Sequence, residues 1–119
     1  MSGPVGPYRP VVRAGEWLIC SGQVGLRDGA LAEGGLRAEA HQALANLRDL
    51  LEGEGASLGH VVKTTVFLTD AGDFGPMNEV YAAAFGEHRP ARSTVVVAAL
   101  PLGASFEIEA WAFHPGGRP

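Results

Sequence analysis

Pro90-Ala91-Arg92-Ser93-Thr94-Val95-Val96-Val97-Ala98 and, a short turn later, Phe106-Glu107-Ile108-Glu109-Ala110 decide how this chain is read. The first segment opens on a fixed cation and runs on in β-branched and small residues, a strand composition. Along the second, successive side chains point to opposite faces of a strand. Glu107 and Glu109 therefore share one face, and Phe106, Ile108 and Ala110 the other. If the two segments pair, one guanidinium and one carboxylate line a single pocket. Arginine presents a planar, permanently charged fork suited to a small carboxylate, and a glutamate can hold or activate water. An ordinary surface ion pair on an edge strand accounts for the same residues, and these two segments alone leave both readings open.

The alternation extends further. Trp111 and Phe113 fall beside the glutamates, opposite Ala110 and Ala112, while Thr94, Val96 and Ala98 oppose Val95, Val97 and Ala99. Both faces of this strand pair are thus largely apolar. Two helices can cover only one of them. The other is expected to pack on another subunit, because a large exposed apolar patch is unusual in a monomer.

Working outward, Val11-Val12-Arg13 and Trp17 to Cys20 read as strands joined through Ala14-Gly15, a hairpin. Val24 to Leu26 can continue the sheet. Between them, Ser21-Gly22-Gln23 suits either a close backbone approach to a ligand or a β-bulge. Arg27 to Gly35 is turn-rich, with Asp28-Gly29 and Gly34-Gly35. Leu36, Ala40, Ala43, Leu44, Leu47 and Leu51 then recur at three- and four-residue spacing, predicting a helix that Gly53 and Gly55 end. His60 to Thr69 is strand-like. Asp73 is the expected N-cap of a second helix over Phe74 to Phe85, with Phe74, Met77, Tyr81 and Phe85 as its apolar stripe. The order β-β-(β)-α-β-α-β-β predicts an α+β domain: a mixed six-stranded sheet with two helices packed on one face. Residues 1–119 make a single domain, with 1–7 expected as a flexible arm and 114–119 as a frayed tail.

The totals narrow the function classes. A formal net charge of −4 gives no electrostatic footprint for nucleic acid. Cys20 is the only cysteine, so no disulfide within the chain and no thiolate cluster can form; its apolar surroundings suggest a buried, inert thiol. His41, His60, His88 and His114 show no paired spacing of a metal motif, so no metal is expected. No apolar run reaches bilayer length and no signal-like segment opens the chain, which makes a cytoplasmic protein the expectation.

Gly6-Pro7-Tyr8, Ser21-Gly22-Gln23, Gln42-Ala43-Leu44-Ala45-Asn46-Leu47, Val62-Lys63-Thr64-Thr65-Val66-Phe67-Leu68, Met77-Asn78-Glu79-Val80-Tyr81, Pro90-Ala91-Arg92-Ser93 and Glu107-Ile108-Glu109-Ala110 follow one another in an order that resembles the RidA/YjgF family. These are reactive-intermediate (enamine/imine) deaminases, many labelled L-PSP endoribonucleases. The resemblance covers about Gly6 to Phe113, and it is the sequence of blocks, not any one tripeptide, that is specific. It implies a chorismate-mutase-like fold, a homotrimer with clefts between subunits, and hydrolysis of 2-aminoacrylate and related 2-imino acids to 2-keto acids and ammonia without cofactor. It further implies that Arg92 clamps the substrate carboxylate and that Glu107 positions or activates water. Tyr8, Ser21, Gly22 and Asn78 match further site positions of the family.

Two departures bear on this. Thr94 stands where many members carry cysteine, which suffices if that position offers its backbone N–H to the substrate. The connection from Phe85 to Arg92 is shorter than in well-known members, which touches substrate size. A non-catalytic keto-acid or metabolite binding module would use the same residues. A ribonuclease would call for a basic groove, which this acidic chain does not offer, and ranks last.

Overall fold

The computed structural model describes residues 6–116. Its strands are β1 (Val11–Ala14), β2 (Trp17–Gln23), β3 (Leu26–Arg27), β4 (Ala30–Leu31), β5 (Val61–Leu68), β6 (Ala91–Val96) and β7 (Phe106–Phe113); its helices are α1 (Leu36–Gly53) and α2 (Phe74–Phe85). Five strands form one sheet in the order β1-β2-β7-β5-β6, with β5 and β6 parallel and the other neighbours antiparallel. Parallel neighbours need a crossover, and α2 supplies it between β5 and β6. The α+β class and the two helices on one face of a mixed sheet are as the sequence predicts.

The sheet has five strands, however, and not six. Val24 to Leu26 leaves it, and β3 instead forms a two-stranded ribbon with β4 around Asp28-Gly29, both at positive φ (53° and 84°). That is the conformation of a tight two-residue hairpin turn. The cause lies in α1. The buried Asn46 amide donates to Val24 O (3.2 Å) and Leu26 O (2.9 Å), taking carbonyls that a sheet neighbour would have used. Gly25 runs so close to α1 that a Cβ there would lie 2.5 Å from Glu39 O.

Each crossover helix buries the stripe that its spacing predicts. Ala40, Ala43, Leu47 and Leu51 of α1 and Met77, Tyr81 and Phe85 of α2 meet Leu18 and Cys20, Val66 and Leu68, and Phe106, Ile108, Ala110 and Ala112. Gly55, at φ 82°, ends α1, and Ala56 N–H reaches back to Leu51 O (2.9 Å). Burial, with a smaller contribution from the Glu54 charge, pushes the Cys20 thiol up to about 12, so it stays a thiol. Two details differ from expectation. Asp73 has helical backbone angles and makes no cap bond; Asp70 instead accepts from Gly72 N–H (2.8 Å), capping a short 3₁₀ turn that runs into α2. Phe74 is exposed and not part of the buried stripe.

The chain ends are tied more than expected where they are described. His114 N–H donates to Glu16 O (2.8 Å), its ring stacks edge-on against His60, and Arg13 Nη2 reaches its Nδ1 (3.1 Å). The remainder of the expected arm and tail, residues 1–5 and 117–119, lies outside the described residues. No helix among the described residues is long and apolar enough to cross a membrane.

The opposite face of the sheet carries no helix. Trp111 (44% exposed), Val95 (42%), Trp17 and Phe113 lie on it, the three aromatic rings touching edge to face. Beneath α2, one polar pair locks the crossover: Thr64 Oγ1 and Tyr81 Oη meet at 2.7 Å, fully inside the core. Thr64→Val would strand a buried phenol and should cost about 1–3 kcal/mol in urea unfolding. Adding Tyr81→Phe should recover most of that loss; a double variant as unstable as the single one would show that the bond is not what holds the pair.

Candidate functional site

Arg92 and Glu107 do not share a pocket within one chain. Strand β6 pairs with β5 and not with β7, so a whole strand separates them. They also face opposite ways. Arg92 pairs in register with Thr64, which is buried under the helices, whereas Glu107 pairs with Phe67 on the uncovered face. The single pocket expected from pairing the two segments is therefore replaced by two half-sites.

The first half-site belongs to α2 and β6. The Arg92 guanidinium carbon sits 4.8 Å from the Tyr81 ring centre and 5.7 Å from that of Phe74, and its Nη1 is 3.8 Å from Met77 Sδ. Spacing of three, four and seven residues along α2 brings these side chains to one face. Aromatic faces attract the cation without neutralising it. The only ion pairs among the described residues are Arg37–Glu79 and Arg48–Asp49, so no carboxylate competes for Arg92. Arg92, Asn78, Tyr81, Ala82, Arg89 and Pro90 line a cavity of about 290 Å³. Arg92 and Asn78, both expected in the site, thus meet here. Thr94 lies two residues further along the same strand face, half-buried and outside this lining.

The second half-site belongs to β2, β7 and the incoming arm. The register between β2 and β7 shifts between Cys20 and Gln23, a bulge at Ser21-Gly22. A Cβ on Gly22 would stand 2.8 Å from Glu107 Cδ, so only glycine lets the carboxyl lie where it does. Burial, and secondarily the Glu109 charge, raises the Glu107 pKa above its ordinary value. Ser21 donates through Oγ to Arg9 O (2.6 Å) and through its N–H to Pro10 O (2.8 Å). Its hydroxyl is thereby spent on anchoring the arm. Tyr8, on that arm, is 45% exposed with its phenol directed to no described partner.

The histidines take structural positions. His88 donates to Val61 O, His60 and His114 stack, and His41 decorates α1. No group of three or more potential metal ligands lies together among the described residues. Sequence reasoning missed the Phe74–Tyr81–Met77 shelf beneath Arg92 and the inclusion of Arg89. The α2 spacing carried the first signal; the second needed the path of the loop.

The raised Glu107 pKa has a definite sign. The folded chain holds that proton more tightly than the unfolded one, so ionising Glu107 costs stability as pH rises from 4.5 through the folded value. In a carboxyl-carbon NMR titration, Glu107 should therefore have its midpoint above 4.5. Glu109→Gln should bring it only part of the way down, since burial is the larger cause. A midpoint at or below the ordinary value would contradict the half-buried position over Gly22.

Comparison with known proteins converges on one group. The family described as Endoribonuclease L-PSP matches residues 2–114. The chain is 47% identical over 110 residues to the 2-iminobutanoate/2-iminopropanoate deaminase of Mus musculus, covering 91% of this chain and 82% of that protein. It is 43% identical over 112 residues to the RutC family protein PH0854 of Pyrococcus horikoshii, covering 92% and 89%. The crystal structure of RidA from the Antarctic bacterium Psychrobacter sp. PAMC 21119 superposes with a TM-score of 0.90 at 42% identity, covering 93% of this chain and 91% of that one. The chain belongs to the Endoribonuclease L-PSP family, the RidA/YjgF proteins.

Proposed function

We propose that this protein hydrolyses reactive 2-enamine and 2-imino acids, such as 2-aminoacrylate, to 2-keto acids and ammonia in clefts formed between its own copies. The observation that carries this reading is the division of the polar residues into two half-sites on opposite faces. One holds an uncompensated guanidinium, the other a half-buried carboxyl over a glycine. Each lacks what the other has. The uncovered apolar face beside Glu107 gives a second copy a reason to bind there. A homotrimer, in which each subunit lends Arg92 to one neighbour and Glu107 to the other, closes three such sites. The mammalian relatives named as 2-iminobutanoate/2-iminopropanoate deaminases add support at 44–47% identity.

The chemistry follows from these groups. Arg92 takes the substrate carboxylate, with the Thr94 backbone N–H and the Asn78 amide beside it. An enamine such as 2-aminoacrylate reacts as its imine tautomer, a proton having passed from nitrogen to the terminal carbon; the water oxygen then adds to the imine carbon while Glu107 takes its proton. Glu107 returns that proton to the nitrogen, giving the amino alcohol; it then takes the hydroxyl proton and passes it to the amine, so that the carbonyl forms, the carbon–nitrogen bond breaks and ammonia leaves. Imine plus water gives keto acid plus ammonia, with no electrons to supply. An environment that raises a carboxyl's pKa brings it nearer to neutrality, where both transfers are feasible. Tyr8, on the arm that the Ser21–Arg9 bond anchors, offers its phenol to the substrate, and Gly22 leaves room for the carboxyl. Because such imines already hydrolyse in water, orienting both partners is a sufficient contribution.

The test generates 2-aminoacrylate in place with a cysteine- or serine-eliminating enzyme and follows keto-acid formation. Arg92→Ala should lower kcat/KM by about tenfold to hundredfold, the worth of a charge-assisted contact. Glu107→Gln should lower kcat by about 10²–10⁴-fold. Subunits carrying Arg92→Ala and Glu107→Gln, unfolded and reassembled together, should exceed the activity of either variant assembled alone. Equal mixing leaves about one quarter of the clefts with both side chains intact. No recovery would rule out the shared cleft, and tight 2-ketobutyrate binding without turnover would point to a binding module.

A further inference from the structure

We infer that the preferred ligand is an acid carrying a second carboxylate on its side chain: the structure assigns Arg89 to that group, beside Arg92. This rests on the deaminase reading for the reaction but not for the ligand class. Both guanidinium-bearing residues line the same cavity of about 290 Å³, with Asn78 on its wall. Neither has a carboxylate partner among the described residues. Two like charges facing one small space repel each other, and a ligand with one negative charge answers only half of that. A dianion of four or five carbons answers both.

The path of the chain explains why Arg89 is there. Gly86, at φ 65°, closes α2, and only residues 86–90 separate it from β6. Pro90 fixes the backbone between the two arginines. Arg89 Nη1 donates to the carbonyls of Gly86 and His88, which braces the side chain against its own loop. Its other guanidinium nitrogens have no partner among the described residues. The Tyr81 phenol feels both cations: burial raises its pKa, while the Thr64 hydrogen bond and, to a smaller extent, the charges of Arg92 and of Arg89 pull against that rise. Arg89 therefore acts on the same ring that supports Arg92.

Calorimetry with stable keto acids tests this on the intact protein. The native protein should bind 2-oxoglutarate or oxaloacetate at least about tenfold more tightly than 2-oxobutanoate, a difference of about 1.4 kcal/mol. Arg89→Ala should bring that ratio close to one, and Arg89→Lys, which keeps the charge, should retain most of it. A native ratio of one or less, or a ratio unchanged by Arg89→Ala, overturns the inference. The same preference should appear in kcat/KM for imines made in place by an amino-acid oxidase from aspartate or glutamate against those from 2-aminobutyrate. Arg89-dependent binding of dicarboxylates with no faster hydrolysis of any imine would refute the deaminase and leave this assignment standing. Hydrolysis with no dependence on Arg89 would do the reverse.

Discussion

The alternation of side chains along β7 is the constraint on which the rest of the molecule depends. Its inward residues, Phe106, Ile108, Ala110 and Ala112, are wholly buried beneath α1 and α2. The small pair Ala110 and Ala112 lets the helices approach closely. Its outward residues are Glu107, Glu109, Trp111 and Phe113, two carboxylates followed by two aromatic rings. A one-residue slip would exchange these sets and drive two charges into the core, so the register is fixed by a penalty that no local adjustment could offset. The same register decides that Glu107 faces away from Arg92.

Most of the fold was legible because its signals were periodic. The stripes of both helices, the alternating strands and the glycine stop of α1 each recur at a spacing that one element alone satisfies. The third strand was misread because its fate depends on a residue twenty positions away: Asn46 claims the Val24 and Leu26 carbonyls, and nothing in Val24-Gly25-Leu26 announces it. Asp73 holds the expected N-cap position of α2 but not the expected bond, for a local reason. Two acidic residues three apart can each cap a turn, and the 3₁₀ turn at Ala71–Asp73 shifted that role to Asp70.

The candidate site was legible in its residues and not in its arrangement. Arg92, Asn78, Glu107 and Gly22 group as two pairs, and the topology separates the pairs. Sequence order suggests that β6 and β7 are neighbours, since a short turn joins them; β5 lies between them instead, and that insertion reverses the conclusion. The aromatic support under Arg92 has a similar origin. Phe74 breaks the burial stripe of α2, yet this exposed ring stands 5.7 Å from the guanidinium carbon.

The loop of residues 86–90 leads from α2 into β6, bonds to β5 through His88 and the Val61 carbonyl, and makes none of the contacts that hold Glu107 over Gly22. Its charge can therefore change without altering the contact between Gly22 and Glu107. On the proposed reading, recognition and chemistry fall on separate stretches of the chain and can drift apart in evolutionary time. A lineage that exchanged those five residues would then meet a new acid while inheriting the proposed reaction intact.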